Sequence, residues 1–315
     1  MAYAKYKKYK EAYRNYIYVM AMSALKRKRY AVMPRILGMN TPNHYERKYV
    51  LPAWLAYCLF ISPYIQTPGK IDFHTISYDK KSDELSFTFE GKSVKLVGTL
   101  DNGDIVGVFF DEDYSRLNVN NCVVIDVGAN IGDTPIYFSL RRAKEVYAFE
   151  PYPHSYGIAA ENIRLNAITN IHLFNIGLGN TKKKILVDRH YKSGLGSDLR
   201  EFNTGAEIDV LSLSDVLKLL SKDDMSFPLI LKMDCEGCEY DAILNAPQTV
   251  LEKFHVVQIE YHYGYDELKK RLEESGFLVE ITTPLNTCNK QAKRSNMAVG
   301  WILAFHVGHK EPNQT

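Results

Sequence analysis

Three short segments gather the residues that could bind a charged ligand or move a proton. The first is Ile125-Asp126-Val127-Gly128-Ala129-Asn130-Ile131-Gly132-Asp133-Thr134, an apolar run ending in an acid and a glycine-bearing turn. Gly128 and Gly132 let backbone approach a ligand closely, and ligands of open α/β sheets bind at the carboxyl ends of strands. Asn130 stands where a second glycine would complete G-x-G-x-x-G, which argues against a nicotinamide dehydrogenase, and no G-K-[ST] follows to make a phosphate loop. The Asp126 carboxylate suits a cationic neighbour better than a pyrophosphate. The second segment is Ala148-Phe149-Glu150-Pro151. An acid closing the next strand can accept both hydroxyls of a ribose. Asp126 and Glu150 together suit a ligand with a cationic amino-acid or sulfonium end and a nucleoside, and S-adenosylmethionine has both.

The third segment, Leu231-Lys232-Met233-Asp234-Cys235-Glu236-Gly237-Cys238-Glu239, delivers Asp234, Glu236 and Glu239 close together. Gln258-Ile259-Glu260-Tyr261-His262 adds an acid and an imidazole at the end of a further strand. Crowded carboxylates have raised pKa values, as a general base needs. Asp234 or Glu236 is the expected base, His262 the reserve, and Glu260 orients a neighbour. Acids with a histidine also suit a divalent cation, but spacing alone does not fix ligand geometry, and no metal ligand is assigned. Cys235-x-x-Cys238 has no matching partner pair and reads as small filler around Gly237, while Cys122 opens a buried strand. Five cysteines, an odd number, are expected to be free thiols in a reducing compartment.

These segments need a scaffold of buried strands. Cys122–Val127, Glu145–Phe149, Ile171–Ile176, Leu229–Met233 and His255–Ile259 are apolar runs, separated by helical patterns at Pro135–Arg142, Pro153–Asn166, Ser214–Leu220 and Tyr240–Asn245. Short strands are expected at Lys183–Val187 and Ile208–Leu211, a helix at Asp266–Ser275, and a closing strand pair at Phe277–Thr283 and Val299–Val307. Strands alternating with helices predict a mostly parallel α/β sheet. Upstream, Leu85–Phe89, Ser93–Leu100 and Ile105–Phe110 read as a β-meander. The expected organisation is a helical region over 1–70, a β-rich lead-in over 71–120 and the main domain over 121–309.

With 46% apolar and 24% charged residues in 315, the chain can fill a core, which excludes global disorder and fibrous classes. The net charge of +2 hides a split: residues 1–48 hold 12 Lys/Arg against 2 acids, and the rest hold 27 against 35. A basic head of this kind suits an anionic partner, whether nucleic acid or membrane surface. Tyr3, Tyr6, Tyr9, Tyr13, Tyr16 and Met20 recur at helical spacing, predicting one helix whose tyrosine stripe packs on the body. Tyr49–Gly69 is uncharged, but its three prolines predict a buried helix and loop rather than a membrane span. No cleavable secretory signal is evident, so a cytoplasmic location is expected.

The segments at 126–134, 148–151 and 232–239, with Glu161-Asn162-Ile163-Arg164-Leu165-Asn166 and Ile259-Glu260-Tyr261-His262, resemble the FkbM-type family of S-adenosylmethionine-dependent methyltransferases over roughly residues 105–305. The resemblance implies a Rossmann-like class I methyltransferase fold: a seven-stranded, mostly parallel sheet with an antiparallel final strand and helices on both faces. It further implies that Asp126, Gly128, Asn130 and Gly132 line the methionine end of S-adenosyl-L-methionine, that Glu150 binds the ribose, and that Asp234, Glu236 and Glu239 sit by the transferred methyl or shape the acceptor pocket. The implied acceptor is a hydroxyl of a sugar, glycan or small metabolite. The alternatives are an RNA methyltransferase using the basic head, and a non-catalytic or membrane-attached binding protein on the same fold; the oligomeric state is left open.

Overall fold

The computed structural model describes residues 2–33, 49–53, 55, 70–100, 102–189, 203–289 and 294–309. The chain forms two compact units, Met1–Ser115 and Arg116–Thr315.

The first unit opens with helices α1 (Ala2–Ala12) and α2 (Tyr16–Ala24), followed by strands β1 (Arg29–Val32) and β2 (Tyr49–Pro52). The tyrosine periodicity predicted one helix from Tyr3 to Met20; instead it breaks before Tyr16. Asn15 causes the break: its Nδ2 donates to Ala31 O at 3.0 Å and its Oδ1 accepts from Met33 N at 2.9 Å. A side chain committed to neighbouring backbone in this way competes with helix continuation. Tyr9 and Tyr13 are buried, as a packing stripe requires. Tyr49–Pro52 is not helical as expected but pairs antiparallel with Arg29–Val32; residues 56–69 lie outside those described. β3 (Ile71–Asp79), β4 (Glu84–Phe89) and β5 (Lys92–Leu96) form an antiparallel meander. The predicted strand Ile105–Phe110 is a π-helix, Val106–Asp111. Val108, Phe109 and Phe110 are buried in succession, and Phe109 packs edge-on against Phe87 and Phe89. A strand with one solvated face cannot bury successive side chains on one side.

The second unit runs β6 (Val123–Val127), α3 (Asp133–Leu140), β7 (Glu145–Phe149), α4 (Pro153–Leu165), β8 (Ile171–Phe174), β9 (Ile176–Leu178), β10 (Lys183–Val187), β11 (Ala206–Leu211) and α5 (Leu213–Leu217). It continues with β12 (Leu229–Met233), α6 (Cys238–Leu244), α7 (Gln248–Leu251), β13 (Phe254–Tyr261), α8 (Asp266–Glu274), β14 (Phe277–Ile281), β15 (Leu285–Asn289) and β16 (Arg294–His306). The main sheet is ordered β14-β16-β13-β12-β6-β7-β8, with β15 added on β16. The pairs β12–β13, β12–β6, β6–β7 and β7–β8 are parallel, and β16 is antiparallel to both its neighbours. This is the Rossmann-like α/β order of a class I methyltransferase, with the strand order reversing direction between β6 and β12.

The predicted strand Ile171–Ile176 divides at Asn175, whose Nδ2 donates to the carbonyls of Glu150 and Pro151. β8 stays at the edge of the main sheet, and β9 joins β11 and β10 in a separate three-stranded sheet. Along the central strands, Val123, Ile125, Val127, Leu229, Leu231 and Met233 pack into one apolar cluster with α5, α6 and α8. By the two-residue period of a strand, Asp126 and Lys232 project to the opposite face, where α3 lies: Thr134 of that helix reaches Asp126.

Asn162 ties α4 to the first glycine turn. It is fully buried, and its Nδ2 donates to Ile131 O at 2.8 Å. Asn162→Ala leaves that carbonyl without its donor and is expected to cost about 1–3 kcal/mol, measured as a lower urea midpoint at unchanged slope. A midpoint equal to wild type would show that the tie is dispensable.

Candidate active site at the carboxyl ends of the central strands

The first turn leaves β6 through residues that only unusual backbone permits. Gly128, Asn130 and Gly132 have φ of 83°, 49° and 86°. A Cβ on Gly128 would stand 1.8 Å from the Asp234 carbonyl oxygen, so the turn after β6 lies directly against the loop after β12. Gly132 starts α3 and packs on Ala159, where a Cβ would meet Cα at 3.1 Å. The backbone N–H groups of Gly128 and Ala129 both donate to Phe149 O, fastening the turn to the end of β7.

Asp126 is closed off from solvent. Its side chain is fully buried: Oδ1 lies 2.9 Å from Lys232 Nζ, and Oδ2 accepts from Thr134 Oγ1 at 2.6 Å. Lys232, its register partner on β12, is equally buried and also donates to the carbonyls of Gly128 at 2.8 Å and Val127 at 3.3 Å. Burial alone would lower the Lys232 pKa, but the charge of Asp126, seconded by Asp234, holds it above the ordinary lysine value. The ammonium thus donates to two carbonyls and lies in ion-pair contact with Asp126. Asp126 acts on the turn through this pair, and Lys232 is the residue that sequence reasoning passed over. Its signal was present: a lone lysine in the apolar run Leu229-Ile230-Leu231-Lys232-Met233.

Glu150 also shapes the turn. It is buried, with Oε2 accepting from Asn130 N and Oε1 from Tyr152 N, each at 2.9 Å. Burial pushes its pKa up to about 8, against the pull of those two N–H groups. Each oxygen keeps a second lone pair for a ligand hydroxyl.

The remaining predicted residues converge on His262. Its Nδ1 lies 2.9 Å from Glu239 Oε1, and its Nε2 lies 3.4 Å from Glu236 Oε2 and 3.8 Å from Asp234 Oδ1. Burial would lower the imidazole pKa, but Glu239, Glu236 and Asp234 outweigh it and raise it to about 10. His262 is therefore a cation at neutral pH that gathers carboxylates, and a protonated ring has no lone pair with which to act as a base. The ligand-type atoms of Asp234, Glu236 and His262 lie within 4.8 Å of one another, a spacing that ion pairing to this ring accounts for. Glu260, on the same strand end, is held well above the ordinary carboxyl value by burial and then by the charge of Asp234. The side chain of Asp234 is 29% exposed, against 19% for Glu236 and none for Glu239. Asp234 is the acid of this group most open to an incoming molecule.

One expectation is overturned. Cys235 and Cys238 are not free thiols filling space; they form a disulfide. It closes the turn that carries Glu236 and Gly237, at φ 58° and 123°, and two residues of left-handed backbone bring the sulfurs together. Glu239 Oε2 accepts from Gly237 N at 2.9 Å beneath it. Cys122 is a free, buried thiol, as the sequence suggested.

Two predictions test this electrostatic frame. Lys232→Met strands a buried Asp126 charge and is expected to destabilise the fold by about 3–5 kcal/mol in urea unfolding, with Asp126→Asn restoring much of the loss in the double variant. Additive losses would show that the pair is not coupled. His262 has a folded pKa of about 10 against an ordinary 6.5. Its contribution to stability is thus complete below pH 6.5 and disappears as pH rises through 10. His262→Gln should flatten the stability profile over that window; a parallel profile in the variant would refute the assignment.

Comparison with known proteins agrees with this geometry. Residues 126–279 match the model of the methyltransferase FkbM domain. The chain is 27% identical over 205 residues to the methyltransferase sdnD of Sordaria araneosa, an alignment covering 54% of this chain and 79% of that protein. Solved structures with a similar course include the precorrin-6y C5,15-methyltransferase of Geobacter metallireducens (17% identity, TM-score 0.36, 78% of this chain and 100% of that one). Another is M. jannaschii TYW2 in complex with AdoMet (17% identity, TM-score 0.34, 75% and 92%). Likeness at that level adds nothing to the strand order already described. The sequence match and the topology agree over this segment: residues 126–279 form a methyltransferase FkbM domain.

Proposed function

We propose that the domain binds S-adenosyl-L-methionine beside the turns after β6 and β7 and transfers its methyl group to a hydroxyl of a sugar, glycan or small metabolite. One observation carries the reading: the Gly128 turn lies in contact with Asp234, so the cradle for the methyl donor adjoins the acids that would receive the acceptor. The residues present fit the cofactor. A Cβ at Gly128 would collide with the Asp234 backbone, so glycine is what lets the two loops meet; Glu150 retains acceptor capacity for a ribose diol, and the carboxylate-rich rim opposes a sulfonium charge. When bound, the cofactor supplies an activated methyl group on sulfur.

The protein's part is alignment and proton handling. Asn130 and Glu150 fix the ribose side of the turn. Asp234 accepts the hydroxyl proton of the acceptor, and Glu236 lies beside it as the second candidate. His262 positions both by charge, and it replaces neither as base while it holds its own proton. Glu260, whose pKa burial and the Asp234 charge push up, orients Asp234. The sdnD protein is named a methyltransferase, which supports the reaction class and leaves the acceptor to experiment.

The test is calorimetric titration of the full chain with S-adenosylmethionine and its demethylated product, followed by methyl-transfer assays on hydroxylated glycans and small metabolites, with tRNA in parallel. Micromolar binding is expected, at least tenfold weaker in Glu150→Ala, corresponding to about 1.4 kcal/mol. Asp234→Asn should keep product affinity and lose about 10²–10⁴-fold in turnover. Absence of binding to either compound would overturn the cofactor; methylation of tRNA in place of the hydroxylated acceptors would overturn the acceptor class.

A further inference from the structure

The first unit displays a combination of aliphatic and cationic side chains that methyl transfer does not use. α2 has no charged residue among its nine. Val19 is fully buried, whereas Ile17, Tyr18, Ala21, Ala24 and the C-cap Leu25 are all exposed. At 3.6 residues per turn these five occupy one continuous arc of about 120°. Ile17 and Leu25 are 70% and 62% exposed. Single exposed aliphatics are ordinary, but an aligned stripe of them marks an interaction surface.

The charge around the stripe identifies the partner's chemistry. The chain leaves α2 directly into Lys26-Arg27-Lys28-Arg29, while α1 presents Lys7, Lys8 and Lys10 and the turn before α2 presents Arg14, all exposed. Residues 1–33 contain nine Lys/Arg and one acid, Glu11. The two helices are joined where Tyr9 Oη donates to Ser23 Oγ at 2.9 Å, and Asn15 anchors their junction to Ala31 and Met33. The stripe is thus held outward on a braced hairpin.

We propose that this hairpin docks on the surface of an anionic lipid bilayer, with Ile17, Tyr18 and Leu25 entering the boundary between headgroups and acyl chains. The flanking lysines and arginines lie over the anionic headgroups. An apolar helix face beside Lys and Arg is the composition of interfacial helices, and each cation near such a surface adds to the attraction. A nucleic acid would engage the cations but leave Ile17 and Leu25 in water, since it is recognised through charge and aromatic stacking. Among the described residues no helix is long and apolar enough to cross a membrane, so the contact is peripheral.

The experiment is co-sedimentation of the full chain with phosphatidylcholine vesicles, with and without phosphatidylserine, over a range of salt, with circular dichroism confirming that each variant is folded. Binding to the phosphatidylserine vesicles alone is expected. Lys26→Glu with Arg27→Glu should weaken it at least about tenfold at low salt. Ile17→Ser with Leu25→Ser should remove the binding that survives at high salt, where charge is screened. No sedimentation with anionic vesicles would overturn the proposal, as would binding indifferent to the Ile17 and Leu25 substitutions. Salt-sensitive binding to RNA that displaces the vesicles would assign the surface to nucleic acid and overturn it equally.

Discussion

The buried pair between Asp126 and Lys232 is the constraint on which the site rests. The two residues are register partners on adjacent parallel strands, and both project to the α3 side of the sheet. An ammonium in such a place is tolerated only when it is paired and hydrogen-bonded. Here that takes Asp126 on one strand and the carbonyls of Val127 and Gly128 at its end. The same ammonium therefore fixes where the strand stops being a strand and the turn begins. Thr134, on the other oxygen of Asp126, extends that constraint to the first turn of α3. The turn after β6 is thus positioned from behind, by Lys232, Asp126 and Thr134.

A second charged cluster does the corresponding work around the loop after β12. His262 is surrounded by Glu239, Glu236 and Asp234 at increasing distance and increasing exposure. The gradient divides labour: the innermost acid secures the ring, and the outermost remains open to chemistry. The Cys235–Cys238 disulfide and the left-handed pair Glu236-Gly237 constrain the loop that carries these acids. Like carboxylates held so close repel one another, and the imidazolium among them offsets that repulsion.

The sheet was legible because its strands are apolar throughout and end in acids. Leu229–Met233 was read with the bounds it has, and Glu145–Phe149 likewise. The candidate residues drew attention for the same reason, since strand ends are where such sheets bind ligands. What escaped was whatever depends on side chains far apart in sequence. Asn15 breaks the N-terminal helix through contacts with Ala31 and Met33, which no local periodicity reveals. The π-helix at Val106–Asp111 follows from burial against Phe87 and Phe89. The direction of Asp126 depends on Lys232, 106 positions along the chain, and the disulfide depends on two left-handed residues that the motif alone does not announce.

The close approach of Gly128 to the Asp234 carbonyl has a consequence for how such a domain can diversify. The two loops that form the floor share one van der Waals boundary, so neither can gain volume without displacing the other. Sequence change at this boundary is therefore locked to concerted steps, whereas the loop after β13 is held by its own backbone: Gly264 has open space for a Cβ but sits at φ 94°, and its carbonyl accepts from Tyr240 Oη. A sequence that enlarges a side chain on one of the two loops must shrink or move its neighbour on the other, so the turn after β6 and the loop after β12 vary as a pair.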